Sequence, residues 1–269
     1  MVKHCEVTYP DEITVDILLN WRNRAVNQSF KPITWNSYIR HLKVIYKFGI
    51  ENELLPFIKN PFDKLFLKVG KPKRKTYSST QLQMLSAISD TSQLPSSLKP
   101  LWFVQTLIMT FRCTAIRRAQ LNKLKVKDVD LKNRTIHISP EINKNHEYHT
   151  LPISTTLYPF IENLIRELKI RKQSGDAQLF NINLFSNSVR RKGKQMTVDQ
   201  IGYIFRRISE YTGVVSSPHR FRHTAATNLM KNPENLYVTK QLLGHKDIKV
   251  TLSYIEDDVE ILRDYADSL

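Results

Sequence analysis

Residues 217–230 read SPHRFRHTAATNLM, and the interpretation of the whole chain starts from this stretch. His219 and Arg222 are three positions apart, so on a helix they lie on one face and can converge on a single anion. The arginine offers a planar, permanently charged fork that matches two phosphate oxygens. The histidine can donate to a third oxygen or move a proton near neutral pH. Phe221, which lies between them, is expected to point toward the core.

The same stretch contains a second pair, His219 and His223, at a spacing that zinc ligands also use. The glutamate of the His-Glu-x-x-His metalloprotease pattern is absent, and the arginines at 220 and 222 would repel a cation. We therefore expect no metal ion at this position.

Further candidate cations lie upstream. Residues 113–131 read CTAIRRAQLNKLKVKDVDL and place Arg117 and Arg118 at the end of an apolar run. We expect one of the two to follow the buried helix face into the interior, where a guanidinium without an anion partner is costly. Lys144 lies in a predicted turn, Asn143–His146, where its ammonium group either reaches into a groove or is simply solvated.

The segment 241–258, QLLGHKDIKVTLSYIEDD, contains His245 after a glycine and Tyr254 before a run of acids. Taken alone, Tyr254 is better explained as a half-buried tyrosine at a helix end. A tyrosine hydroxyl, with a pKa of about 10, is a poor nucleophile unless a proton acceptor or a nearby positive charge assists it. Motifs elsewhere in the chain are needed to choose between a structural tyrosine and a nucleophile.

The overall charge favours a polyanionic partner. The chain has 269 residues, a formal net charge of +16 and a pI of about 9.8, which makes nucleic acid the leading partner and an anionic membrane surface the second. No stretch reaches 18 consecutive apolar residues and the N-terminus lacks an apolar signal region, so we expect a soluble, cytoplasmic protein without a membrane partner. Cys5 and Cys113 indicate neither a disulfide framework nor a zinc cluster. No glycine-rich nucleotide loop is present.

The charge is unevenly distributed. Residues 255–269 contain six acids and one base, so the remaining chain is even more basic than the average. We expect this acidic tail to contact protein and not DNA.

The hydrophobic pattern predicts a mainly helical chain with one small antiparallel sheet. Residues 12–68 are predicted as helices, with an apolar stripe in 34–50. A helix restarts after a Ser-x-x-Gln capping box at 78–81, and 98–116 is apolar enough for a buried helix. Residues 134–138 and 147–153 are predicted to pair as strands. The helical period returns at 155–172 and 197–211.

Between the two helical regions, VGKPKRKTYSS has no hydrophobic period and is interpreted as a basic, extended linker or a solvated loop. Basic side chains of this linker and of the preceding helices are the candidates for contact with DNA phosphates: Arg22, Arg24, Arg40, Lys43, Lys47, Lys71, Lys73, Arg74 and Lys75.

The order of these motifs resembles the tyrosine recombinases, or phage integrase family. The motifs are TAIRRAQL, then Lys144 in a hairpin ending TLPI, then HRFRHTAAT, LLGH and Tyr254. The resemblance covers the whole chain and implies a helical core-binding domain at 1–70, a linker at 71–77 and a catalytic domain at 78–269. Because about ten residues precede the first predicted helix, we expect no arm-binding domain of the kind found in the larger phage integrases.

Carried over by position, the resemblance implies a catalytic set of Arg117, Lys144, His219, Arg222, His245 and Tyr254. Tyr254 would attack DNA and form a covalent 3′-phosphotyrosine, without metal, ATP or any other cofactor. The implied partners are double-stranded DNA with short inverted-repeat core sites and further copies of the chain, in a tetramer held by the C-terminal helix.

Two departures from the family pattern concern the first arginine. The family has Gly-Leu-Arg and an acid three positions later, where this chain has Ala115-Ile116-Arg117 and Gln120. Gln120 can form hydrogen bonds but supplies no counter-charge. Arg118 is the alternative to Arg117. Two other functions stay open beside a site-specific recombinase: a type IB topoisomerase, and a DNA-binding regulator or accessory protein that has lost catalysis.

Overall fold

The computed structural model describes residues 5–28, 30–70, 75–89, 93–186, 191, 193–255 and 266. The chain forms two compact units, residues 1–73 and 74–269. Three positions predicted to bind DNA, Lys71, Lys73 and Arg74, lie outside the described residues, as does nearly all of the acidic tail. The extended linker at 71–77 and the C-terminal helix therefore stay predictions.

The first unit contains helices α1 (Val15–Gln28) and α2 (Pro32–Glu51). Trp21 and Trp35 meet edge to face in its core, and the Trp35 indole donates to the carbonyl oxygen of Leu65 at 2.8 Å. Residues 54–67, predicted as helical, are turns and irregular chain that pack on α2. The prediction was wrong here because Pro56 and Pro61 lack the N–H that a helix interior needs.

The apolar stripe of α2 is only partly buried. Trp35, Ile39 and Tyr46 are buried, but Tyr38 and Ile45 are 48% and 62% exposed. At 3.6 residues per turn these two lie roughly 80–100° from the centre of the buried face, so this small unit leaves them uncovered.

The second unit is built around helix α4 (Leu101–Thr114), which follows α3 (Ser79–Ser86). The capping box is confirmed: Ser78 Oγ accepts from the Gln81 N–H, and Gln81 Oε1 accepts from the Ser78 N–H. α4 packs against α6 (Tyr158–Ile170) and α8 (Pro218–Leu229). The predicted buried helix is thus the centre of this unit.

Three antiparallel strands form the sheet, in the order β1 (Val129–Asp130), β2 (Thr135–Ile138) and β3 (His149–Pro152). Ile136 and Leu151 face each other in the register, and both are fully buried. The predicted pair of strands is confirmed, whereas β1, at two residues, is too short to show an alternation in the sequence.

The remaining helices complete the unit: α5 (Arg118–Lys123), α7 (Val198–Thr212), α9 (Leu236–Leu243) and α10 (Ile248–Leu252). α9 contacts both α8 and α10, which brings the chemistry-bearing motifs of the sequence together. In the described part of the chain, no helix is both long and apolar enough to cross a membrane.

Candidate active site

Arg222 is the centre of the candidate site. Its side chain is only 6% exposed and spreads over two backbone turns. Nη1 donates to the Ala115 carbonyl oxygen at 2.8 Å, and Nη2 donates to the Leu243 carbonyl oxygen at 2.6 Å. Helix α8 points Phe221 into the core, as predicted, and turns Arg222 toward the ends of α4 and α9. The guanidinium therefore connects α8, the helix that carries it, to the ends of α4 and α9.

The turn after α4 places the first arginine. Ala115 has φ 52° and ψ 22°, a left-handed conformation that usually suits glycine. Arg117 follows as the residue before α5 and is half-buried, whereas Arg118 is exposed. Arg117 Nη2 donates to the Gly244 carbonyl oxygen at 3.3 Å, and its buried Nη1 has no hydrogen-bond partner among the described residues. Of the two arginines, Arg117 is the one that joins the site.

His245 follows the left-handed Gly244 that ends α9. Arg222 Nη2 lies 3.0 Å from His245 Nε2, and His245 Nδ1 lies 2.9 Å from Thr251 Oγ1. Since an arginine only donates, Nε2 accepts, and the ring proton is on Nδ1. Burial, and then the charges of Arg222 and Arg117, lower the pKa of His245 to about 4. The ring is neutral at physiological pH.

Tyr254 lies just past α10 and is 6% exposed. Its hydroxyl lies close to Arg222 and raises the pKa of the guanidinium. The ring stacks parallel to His245 with centroids 6.1 Å apart and lies 5.5 Å from the ring of His223. Ala115, Ala226, Met230 and Leu243 pack around it. The tyrosine thus lies beside the arginines of its own chain.

The electrostatics of the site are those of an anion receptor. Burial, and then the charge of Arg117, lower the pKa of Arg222 to about 10, while Tyr254 acts in the opposite direction. Burial likewise lowers the pKa of Arg117. Neither arginine forms an ion pair with a carboxylate in the described part of the chain. Two confined guanidiniums without a counter-charge favour a bound anion.

Two of the six predicted residues lie at the edge of the site. Lys144 is exposed in the connection between β2 and β3. Its neighbour Asn145 is attached to the site, since Asn145 Nδ2 donates to the Gly244 carbonyl oxygen at 3.0 Å. His219 is exposed at the start of α8, with its ring centroid 4.0 Å from that of His223. The structure brings Arg117, Arg222, His245 and Tyr254 into contact and places these two around them.

Gln120 supports Arg117 through hydrogen bonds and not through charge. Its side chain is 2% exposed. Oε1 accepts from the backbone N–H of Arg117 at 3.1 Å, and Nε2 donates to Asn143 Oδ1 at 3.1 Å. Gln120 therefore supports the backbone of Arg117 and the hairpin of Lys144.

Sequence reasoning missed His149. Its Nε2 lies 2.8 Å from the Gln241 carbonyl oxygen and, since a carbonyl only accepts, donates to it. Its pKa is lowered by burial and by the charges of Arg117 and Arg222. The residue fastens β3 to the end of α9. No local signal marks it, because the carbonyl it binds is 92 positions away.

The predicted DNA contacts of the first unit lie on its helices. Arg24, Arg40 and Lys47 are exposed. Lys43 forms an ion pair with Asp63 at 2.8 Å, and Lys47 forms one with Glu51 at 3.5 Å. Arg22 donates to the side chain of Asn23. In the second unit Lys75 is exposed. Their role in binding DNA stays a prediction.

Metal ligation was considered for His219 and His223. Within the residues that the structure describes, no group of three or more His, Cys, Asp or Glu side chains is arranged to hold a metal ion.

The chain is similar to known recombinases. A model of the phage integrase family matches residues 75–260. A putative tyrosine recombinase XerC of Pseudomonas aeruginosa is 36% identical over 257 residues, covering 91% of this chain and 59% of the relative. A relative of the same name from Pseudomonas syringae is 32% identical, covering 97% and 55%. The chain thus spans little more than half the length of these relatives.

Solved structures share the fold. The integrase of transposon Tn1549 in complex with circular intermediate DNA has a TM-score of 0.68 at 20% identity, over 97% of this chain and 87% of that one. The XerH site-specific recombinase bound to a palindromic difH substrate has a TM-score of 0.68 at 18% identity, over 95% and 70%. The family match over most of the chain, joined to the site's geometry, shows that this protein belongs to the phage integrase family.

Proposed function

We propose that the protein is a site-specific DNA recombinase that breaks and rejoins DNA strands through Tyr254. The observation that carries the proposal is the pairing of an anion receptor with a buried phenol. Arg222 and Arg117 have no carboxylate counter-charge in the described part of the chain, and the buried Tyr254 lies close enough to Arg222 to raise the pKa of its guanidinium. A phosphodiester held by the two arginines would therefore lie next to the nucleophile.

In the proposed cleavage step, the Tyr254 oxygen attacks the phosphorus and the bond to the 5′ oxygen breaks. The products are a 3′-phosphotyrosine and a free 5′-hydroxyl. Arg117 Nη1, a buried donor without a protein partner among the described residues, and the Arg222 fork stabilise the charge that develops on the phosphate oxygens. Rejoining is the same step in reverse. Because the phosphodiester bond energy is retained in the intermediate, no ATP is required.

Two proton transfers accompany cleavage. Lys144 is the candidate donor to the leaving 5′ oxygen, since its exposed hairpin is attached to the Gly244 turn through Asn145. His219, which pairs with His223 beside the Tyr254 ring, is the candidate to assist removal of the phenolic proton. His245 stays neutral and holds Arg222 in place from its Nε2 side.

The proposed substrate is double-stranded DNA. The net charge of +16 supports it, and so do the related structures solved with bound DNA. The candidate contacts are the basic side chains of α1 and α2 and those of the linker predicted at 71–77. We further propose that the chain acts in the cytoplasm, on short inverted repeats, as a tetramer that its acidic C-terminal segment holds together.

Covalent capture tests the proposal. A library of duplexes with random sequence and a nick beside the cleavage position traps the intermediate, because the short cleaved fragment diffuses away. We expect adducts that resist denaturant and that share one short sequence motif. Two intact duplexes bearing that motif should then exchange strands, whereas adducts without exchange between sites would indicate a topoisomerase. Absence of any adduct would contradict the proposal and favour a DNA-binding regulator.

A further inference from the structure

Two buried amide side chains join the helix of the first arginine to the hairpin of Lys144. Gln120 and Asn143 are 2% and 4% exposed, and Gln120 Nε2 donates to Asn143 Oδ1 at 3.1 Å. The other end of the Gln120 amide accepts the backbone N–H of Arg117. A direct path of two hydrogen bonds therefore runs from Arg117 to the residue that precedes Lys144.

Asn143 in turn shapes the hairpin. Its Nδ2 donates to the Glu147 carbonyl oxygen at 2.7 Å and closes the loop around Lys144. Its backbone carbonyl accepts the His146 N–H at 3.0 Å. On the other side of Lys144, Asn145 is attached to Gly244. Lys144 is thus an exposed residue between two neighbours whose side chains are hydrogen-bonded to the rest of the unit.

An ionised glutamate at position 120 could not reproduce this link. A carboxylate still accepts the Arg117 N–H, but it cannot donate to Asn143 Oδ1, and two acceptors would face each other in a buried place. Reversing the Asn143 amide would restore one hydrogen bond and break the one to Glu147. The pair works only when both side chains are amides in this orientation.

We propose that Gln120 is a positioning residue for Lys144, acting through Asn143, so that the ammonium group is presented to the leaving 5′ oxygen. This inference rests on the proposed recombinase function. It assigns to Gln120 an effect on proton donation, which is distinct from the phosphate contacts of Arg117.

The test compares two leaving groups. Cleavage rates are measured on a nicked substrate with a normal 5′ oxygen at the scissile bond and on one with sulfur in its place, which leaves as a thiolate without needing a proton. Gln120→Glu should cleave the oxygen substrate at least tenfold more slowly than the parent and the sulfur substrate within about twofold. Lys144→Ala gives the pattern expected when the proton donor is lost completely.

Gln178→Glu is the matched control. Gln178 is also a buried glutamine, 8% exposed, whose Nε2 donates to two backbone carbonyl oxygens, of Asn122 and Met196. None of its described contacts involves the Lys144 hairpin, so its variant should show no selective loss on the oxygen substrate. Asn143→Asp, which keeps the acceptor for Gln120 and loses the donor to Glu147, should reproduce the Gln120→Glu pattern and replaces that variant if it fails to fold.

Three results would overturn the inference. Gln120→Glu could cleave both substrates equally slowly, which indicates an effect through Arg117, or could cleave both at the parent rate. The control Gln178→Glu could show the same selective loss on the oxygen substrate. Measurements on the parent protein distinguish failure of the recombinase function from failure of the positioning role of Gln120. If the parent forms no adduct with either substrate, the recombinase function itself is wrong, and the positioning role fails with it.

Discussion

Gly244 offers a quantitative test of how the hairpin and the end of α9 fit together. The residue has φ +58°, and a methyl group at its Cα would lie 3.0 Å from His149 Nδ1 and 3.1 Å from His149 Cε1. Gly244→Ala therefore introduces two separate effects, backbone strain and a clash with a ring that holds β3 to α9.

The magnitudes follow from these two effects. A left-handed conformation costs an alanine about 1–2 kcal/mol, and the reduced freedom of the unfolded chain returns about 0.4–1 kcal/mol. Displacing the imidazole weakens its hydrogen bond to the Gln241 carbonyl oxygen, a loss of about 0.5–1.5 kcal/mol. We expect Gly244→Ala to lower the free energy of unfolding by about 2 kcal/mol, half from strain and half from the ring.

Gly213→Ala is the control. Gly213 also ends a helix of the same unit with φ +68°, but a methyl group there would meet no atom within 4 Å. It should cost only the strain, about 1 kcal/mol. Both variants are measured by urea unfolding followed by circular dichroism.

A double-mutant cycle isolates the ring contact. In a His149→Ala background, Gly244→Ala should cost no more than Gly213→Ala does in the parent, giving a coupling energy of about 1 kcal/mol. If Gly244→Ala and Gly213→Ala are equally destabilising in the parent, or if the coupling energy is zero, the described packing of His149 on Gly244 is wrong.

Three further predictions concern charge. Arg117→Ala should reduce the cleavage rate by on the order of a hundredfold or more without lowering Tm, because the Arg117 side chain forms one hydrogen bond among the described residues, at 3.3 Å, and its removal relieves the charge repulsion on Arg222; a large loss of Tm would contradict this. Because the folded state lowers the pKa of His245 from 6.5 to about 4, the unfolded chain binds more protons in that window, so stability should fall as pH falls through it. His245→Asn should flatten the Tm profile there, and an unchanged slope would count against the neutral ring. Lys75→Gln should weaken binding to all DNA sequences alike and reduce the salt slope by about one, and an unchanged slope would remove Lys75 from the interface.

Much of the fold was predictable because its signals are local. The capping box at Ser78 and Gln81 lies within four residues, the alternation of β2 within five, and the period of α6 and α7 within single helices. The first unit was less predictable. There the burial of α2 depends on irregular chain at 54–67, whose packing no periodicity specifies.

The active site, like the fold, has a part that was predictable from the sequence and a part that was not. The resemblance to the family, which the order of the motifs carries, implied that Arg117, Arg222, His245 and Tyr254 meet, and the structure brings them together. The network that holds them was not predictable. His149, Asn143 and Asn145 act through backbone carbonyls or amide partners distant in sequence, and such hydrogen bonds leave no pattern in the residues around them.

Arg118 and Gln120 show what the structure adds to an ambiguous motif. The sequence left either Arg117 or Arg118 as the arginine of the site and raised doubt about Gln120. Burial decides the first question, since Arg117 is half-buried and Arg118 is exposed. The hydrogen bonds of Gln120 answer the second, because its amide is engaged at both ends.

Identifying the residue that carries the DNA in the trapped adduct tests the central claim most directly. Trypsin should release Tyr254 in the peptide of residues 250–263, VTLSYIEDDVEILR, and should leave Tyr265 in the separate C-terminal peptide. We expect a nucleotide remnant on Tyr254 in the parent. We expect no adduct in Tyr254→Phe, which keeps the ring packing and binds DNA with near-parental affinity. An adduct in Tyr254→Phe, or a remnant on Tyr265, would show that Tyr254 is not the nucleophile.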